Sequence, residues 1–238
     1  MDEFDPLSPQ QIPTAKRPLL GMTVLVVEDS RFASEALRLM CLRSGARIRR
    51  ADCLRSARRH LQVYRLSVVI VDLGLPDGSG LELIEELDRA RPRVGVLLAI
   101  SGDDHAQSMA TAAGSDGFLS KPLENLGVFQ QAILSVLPPD RQPCQPCVVS
   151  AEIVHPDPVA YRDDMTHVAS LLDDHQEGPV LDYAAQFLAS VAKSAEDAQL
   201  QDAAMALAQT RESGELAQAQ IARIAGLVRD RLSERVAI

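Results

Sequence analysis

The sequence predicts an α/β protein, a doubly wound five-stranded parallel sheet followed by a small all-α domain. Three observations carry this. Between residues 22 and 138, short Val/Ile/Leu runs alternate with amphipathic stretches of helical period. Those runs are apolar at consecutive positions, as suits strands buried on both faces of a parallel sheet. Past a proline-rich break, only helical periodicity remains.

The strand-like runs are Thr23–Val27, Val68–Val71, Val94–Ile100 and Gly117–Leu119. Ala46–Ala51 is weaker and carries Arg at alternate positions, which fits an edge strand. Helical patterns span Arg31–Ser44, Leu54–Tyr64, Gly80–Ala90, Asp104–Ala113 and Leu123–Leu137. Gly45 and Gly114 follow the first and fourth of these, where a left-handed cap is wanted. Residues 1–20 contain Pro6, Pro9, Pro13 and Pro18 and are expected to form a mobile leader. Prolines 138, 139, 143, 146, 156 and 158 mark a linker. Val159–Asp174 is then a short helix, Gly178-Pro179 a break, Val180–Gln209 an Ala-rich helix, and Glu215–Val236 a last one. Ala-rich seams let helices approach closely, so a packed hairpin or bundle is expected. The domain plan is therefore a leader (1–20), an α/β domain (21–138), a linker (139–158) and a helical domain (159–238).

The bulk composition restricts the function classes. Of the 238 residues, 46% are apolar and 24% charged, ordinary for a globular protein; with no Trp, the core rests on aliphatic side chains. The net charge of −9 is uneven. Residues 1–150 carry 17 basic and 18 acidic side chains, whereas residues 151–238 carry 7 and 15. Such a tail repels phosphate backbones unless its few Arg residues cluster, which weighs against a nucleic-acid partner. Four cysteines make no disulfide framework in a chain this size. The first residues lack the basic and apolar regions of a signal peptide, and no run reaches membrane-span length. The expected location is cytoplasmic, without membrane attachment.

Chemistry concentrates at the strand tips. In a parallel sheet all C-terminal strand ends open onto one edge, where ligands bind. Glu28 and Asp29 end the first strand, Asp72 the third, and Ser101 the fourth; Lys121 follows the fifth. Three carboxylates gathered this closely repel one another and raise at least one pKa unless a cation intervenes. Oxygen ligands suit a hard ion, and few protein ligands with spare water positions suit Mg2+.

These residues, in the segments Val-Val-Glu28-Asp29-Ser30, Ile-Val-Asp72-Leu-Gly-Leu-Pro76-Asp-Gly-Ser-Gly80, Ile100-Ser101-Gly102 and Phe118-Leu-Ser-Lys121-Pro122, resemble the receiver domains of two-component response regulators. The resemblance covers residues 22–138 and rests on all four motifs in order, since each alone is weak. It implies the flavodoxin-like strand order 2-1-3-4-5 and Asp72 as phosphoacceptor, a carboxylate nucleophile giving an aspartyl phosphate. It also implies Glu28, Asp29, Asp72 and the Gly74 backbone carbonyl as Mg2+ ligands. Ser101 and Lys121 would hold the phosphoryl group, Phe118 would be the switch aromatic, and Lys121–Pro122 would be cis. A histidine kinase or histidine phosphotransferase would be the donor. The receiver would catalyse its own modification without turning over an external substrate, so it is not expected to be an enzyme. Leu75 stands where Met is common in the family, and Ser101 lacks the methyl group of Thr.

Other readings remain beside this one. Glu28, Asp29 and Asp72 could be solvated loop acids, or the receiver could be degenerate; neither Asp72 nor Lys121 is missing, however. Phe118 could be plain core. Cys144-Gln-Pro-Cys147 resembles half a zinc site or a redox pair, but no second pair follows it. Histidine phosphotransfer bundles carry His with Lys three residues on, and neither His167 nor His175 fits. For output, two hypotheses stand. In one, the helical domain binds a protein or itself. In the other, residues 218–236 form a helix-turn-helix with its turn at Gly226 and with Arg229, Arg231 and Arg235 facing DNA. Against the second, Ala217, Ile221, Ile224, Val228 and Leu232 form one stripe on an uninterrupted helix.

Overall fold

The structure, a computed structural model, describes residues 12–138, 142, 150–174, 178–214 and 216–233. Its first part runs β1 (Thr23–Val27), α1 (Arg31–Arg43), β2 (Arg47–Ala51), α2 (Leu54–Val63) and β3 (Val68–Asp72). A two-residue hairpin follows, β4 (Gly74–Leu75) and β5 (Gly78–Ser79), then α3 (Gly80–Arg89) and β6 (Val96–Ser101). A 3-10 turn (Asp104–Ala106), α4 (Gln107–Ala112), β7 (Gly117–Ser120) and α5 (Leu126–Leu134) complete it. The second part is α6 (Pro158–Asp174), α7 (Pro179–Ser194), α8 (Ala198–Glu212) and α9 (Gln218–Ser233).

The five long strands form one parallel sheet ordered β2-β1-β3-β6-β7, which is 2-1-3-4-5 once the hairpin is set aside. Strand alternation divides the core in two. Val24, Val26, Ile70 and Leu98 face α1 and α5, while Leu25, Val27, Val69 and Leu97 face α2, α3 and α4. Both faces of the central strands are therefore buried, which is why their sequences do not alternate. Ser30, Ser79 and Asn125 cap α1, α3 and α5, each accepting a bond from a first-turn backbone N–H. Gly45 (φ +85°) and Gly114 (φ +103°) take the left-handed conformation expected of them. Lys121–Pro122 is cis.

Three expectations need correction. Residues 12–20 are more than a leader. Leu19 is fully buried, and its N–H bonds the Ser44 carbonyl at 2.9 Å. The prolines around it hid one aliphatic side chain that the core takes in. Residues 1–11, like most of the Pro-rich linker with Cys144 and Cys147, lie outside the described residues. The linker's end is also docked, with Val154 buried and its N–H on the Glu124 carbonyl at 2.8 Å. The predicted helix over 180–209 is two helices. Glu196 sits at φ +55°, and the Asp197 carboxylate caps α8 at the Leu200 N–H. Alanine continues helical propensity across that break, so the periodicity does not show it.

Among the described residues, the helix-turn-helix considered for 218–236 shows no turn at Gly226. Residues 218–233 are one α-helix, with Ile224, Leu227 and Val228 buried in the bundle core. Gly226 lies inside that helix, where its lack of a side chain serves no turn. Arg231 is committed to Asp197 through bonds of 2.7 and 3.1 Å, and Arg229 is exposed. Arg235 is outside the described residues.

Candidate functional site

Each strand tip delivers what its sequence promises, because parallel strands in register end at one level. Lys121 Nζ lies 2.8 Å from Glu28 Oε2 and 3.0 Å from Asp72 Oδ2. One ligand oxygen each from Glu28, Asp29 and Asp72 can be chosen so that all lie within 4.8 Å of one another. Asp72 is 4% exposed, Glu28 3% and Lys121 1%, so this is a buried cluster rather than a solvated rim. Ser101 is also buried, and its hydroxyl accepts from the Asp103 N–H at 3.1 Å. Gly74 adjoins Asp72, its N–H 3.5 Å from Oδ1. Phe118 is elsewhere, half-buried against the hydrophobic core on the α2, α3 and α4 side of the sheet.

Backbone geometry fixes the position of Asp72. Gly80 opens α3 with its N–H on the Leu73 carbonyl at 3.0 Å. A Cβ there would lie 2.0 Å from the Asp72 carbonyl oxygen. Asp77, at the hairpin tip, caps α2 through the Leu54 and Arg55 N–H groups at 2.7 and 3.0 Å. The segment from Gly74 to Gly80 thus ties three elements together around Asp72.

The electrostatics are unbalanced. Three acids meet one ammonium. Burial, reinforced by the charge of Asp72, pushes Glu28 well above the usual carboxylate range against the pull of Lys121. The same two causes push Asp29 up to about 7, opposed by a hydrogen bond from Tyr183. Burial alone would lower the Lys121 pKa, but the charges of Asp72 and Glu28 hold it above its ordinary value. Glu28 Oε2 makes its ion pair without a well-aligned hydrogen bond. Clustered acids that suppress one another's ionisation, with one buried oxygen under-satisfied, fit a site for a hard divalent cation.

The sequence does not disclose that the helical part covers this edge. On α6, the Asp164 carboxylate accepts from Ser30 Oγ (2.8 Å), the Arg31 N–H (2.8 Å) and the Phe32 N–H (3.0 Å) at the start of α1. On α7, Tyr183 Oη donates to Asp29 Oδ2 at 2.8 Å, and Lys121 Nζ donates to Ser190 Oγ at 3.0 Å. Lys193 Nζ donates to the Gly102 carbonyl oxygen. Only Lys193 left a signal, as the sole lysine after Lys121.

The fold and site together define a doubly wound domain with an acidic pocket and an opposed lysine at the carboxyl ends of its strands. Residues 24–133 match the family model described as the response regulator receiver domain. The KDP operon transcriptional regulatory protein KdpE of Escherichia coli (strain K12) is 32% identical over 99 residues, covering 42% of this chain and 44% of that protein. The virulence transcriptional regulatory protein PhoP of Salmonella typhimurium (strain 14028s / SGSC 2262) is 30% identical over 116 residues, covering 48% and 52%. The chain spans about half the length of the curated relatives it matches. Among solved structures, a response regulator protein TrrA from Thermotoga maritima in complex with Mg(2+)-BeF aligns with a TM-score of 0.45 at 22% identity, covering 49% of this chain and 99% of that one. Residues 24–133 are thus similar to response regulator receiver domains, and their strand order and acidic cluster accord with that match. Among the described residues, no helix is long and apolar enough to cross a membrane.

Proposed function

We propose that the chain is a phosphorelay response regulator in which Asp72 accepts a phosphoryl group and the helical region (159–238) acts as output through protein contacts. The observation that carries this is Lys121 Nζ bridging Asp72 and Glu28 beside Asp29 in a buried cluster. An Asp72 carboxylate oxygen attacks the donor phosphorus. The bond from phosphorus to the donor imidazole breaks, and its electron pair leaves with the imidazole, which takes up a proton. Lys121 neutralises charge on a phosphoryl oxygen, and Ser101 offers a hydroxyl to another. Glu28, Asp29, Asp72 and the Gly74 carbonyl would hold Mg2+, which supplies charge neutralisation and orientation when bound. The donor is a histidine kinase or histidine phosphotransferase. The chain modifies itself and turns over no external substrate.

In the test, the full chain is incubated with phosphoramidate or acetyl phosphate and Mg2+, then analysed by mass spectrometry. One added phosphoryl group on the peptide containing Asp72, absent when Mg2+ is chelated, is expected. Labelling elsewhere, or none, would overturn the assignment.

Stability should follow the same electrostatics. Asp29 and Glu28 titrate higher in the folded chain than in the unfolded one, so between about pH 4 and 7 the folded state binds more protons. Raising pH through that window therefore costs stability. Without divalent ions, the Tm is expected to be lower at pH 8 than at pH 5.5. Added Mg2+, binding the ionised carboxylates, should raise Tm more at pH 8. Scanning calorimetry checks both; a Tm indifferent to Mg2+ at pH 8 contradicts the metal assignment.

The curated relatives are named as transcriptional regulators, which favours a second reading, DNA-directed output. The matched stretch is the receiver part, and α9 is unbent. Salt-sensitive, sequence-selective retardation of genomic fragments would establish DNA as the target. No retardation supports protein output.

A further inference from the structure

The phosphoryl group proposed for Asp72 would face the helical bundle across a cleft. Above Asp72, Asp29, Gly74, Ser101 and Gly102 lies a cleft of ≈ 1060 Å³, whose other wall includes Gln186, Ser190 and Lys193 of α7. Ser190 Oγ already accepts from Lys121 Nζ, the ammonium that also touches Asp72, and keeps its own hydroxyl proton to donate. Lys193, nearly one turn on, brings a second ammonium to the carbonyl of Gly102, next to Ser101. Gln186 lies so close to Gly74 that a Cβ there would come within 2.7 Å of its Nε2. The Asp164 clamp on α1 holds this wall in place.

Charge counting gives the wall a purpose. Glu28, Asp29 and a doubly ionised aspartyl phosphate carry four negative charges. Lys121 and a bound divalent cation supply three positive ones. The groups around Asp72 alone then retain one negative charge, and Asp103 and Asp182 line the same cleft. Lys193 brings its ammonium into the lining of this same cleft, beside Gly102.

We propose that Ser190 and Lys193 of α7 are phosphoryl-binding residues, so that the acyl phosphate on Asp72 is gripped by the receiver on one side and by the helical bundle on the other. This rests on Asp72 being the phosphoacceptor. Phosphorylation then tightens the docking of the bundle, and the readout passes through α7 itself.

Beryllofluoride, a stand-in for the phosphoryl group, tests this without turnover. The full-length chain is titrated with it by calorimetry at saturating Mg2+, beside Lys193→Gln, Lys193→Arg, Ser190→Ala and Asp72→Asn. The expected result is affinity weakened about tenfold in Lys193→Gln, largely retained in Lys193→Arg, and weakened less in Ser190→Ala. Hydrogen exchange in residues 179–194 should slow on binding in the wild type. Should Lys193→Gln misfold, Asp164→Asn, which loosens the wall from α6, is expected to weaken binding in the same direction. Unchanged affinity in Lys193→Gln and Ser190→Ala would reduce the contact to packing. Higher affinity would make α7 a competitor for the site. Either result overturns the proposal. A wild type that binds nothing, or an Asp72→Asn variant that binds equally well, would instead overturn the phosphoacceptor assignment.

Discussion

Asp72→Asn is expected to abolish labelling by a small phosphodonor while leaving the chain folded. The amide oxygen keeps the shape of the carboxylate but lacks its charge and nucleophilicity. Lys121 would keep Glu28 at 2.8 Å as its counter-ion. The electrostatic consequence has a clear sign. The charge of Asp72 is the second cause, after burial, that raises both Glu28 and Asp29. Removing it lets those two carboxylates ionise at lower pH, so without divalent ions at neutral pH the variant should melt no lower than the wild type. Electrospray mass spectrometry after phosphoramidate treatment, with a thermal scan on the same sample, separates lost chemistry from lost fold. Undiminished labelling in a folded variant would remove Asp72 from its role. Labelling lost together with the cooperative transition would mean that the residue is structural.

What the sequence disclosed and what it hid follow from the range of the interactions involved. The strand tips were legible because strand direction alone places Glu28, Asp72, Ser101 and Lys121 on one edge, and short consecutive aliphatic runs identify the strands. The left-handed turns at Gly45 and Gly114 are local in sequence and equally legible. The α7–α8 break was not, because Ala195 and Ala198 satisfy a helix on either side and the turn is stabilised by remote partners of Asp197, namely Tyr161 and Arg231. Nor was the covered site. Asp164 and Ser30 are 134 residues apart, and an acid in an amphipathic helix reads as solvated until the helix is docked. A bent, DNA-reading α9 and a straight one bury the same stripe, so only packing against α6 and α8 distinguishes them.

The largest structural effect should come from Gly80→Ala. Alanine is ordinarily welcome at the start of a helix, and on propensity alone the change would stabilise α3. Here the added methyl would lie 2.0 Å from the Asp72 carbonyl oxygen and 2.9 Å from both the Asp72 carbonyl carbon and Leu73 Cα. All three atoms are backbone, so no rotamer change can relieve the overlap. Either α3 moves away, breaking the 3.0 Å bond between the Gly80 N–H and the Leu73 carbonyl, or the end of β3 shifts and carries Asp72 with it. Overpacking against backbone costs about 3 kcal/mol or more. In a chain of this size that corresponds to a fall in Tm of roughly 6–12 °C. Labelling of Asp72 should fall as well, because a displaced carboxylate no longer meets Lys121. Gly74→Ala is the internal comparison. Its Cβ would approach only the amide end of the Gln186 side chain, at 2.7 Å, which can rotate away. That variant should keep a near-native Tm and lose chiefly the packing between the hairpin and α7. Equal melting temperatures for the two variants would mean that the close approach of α3 to β3 does not position Asp72.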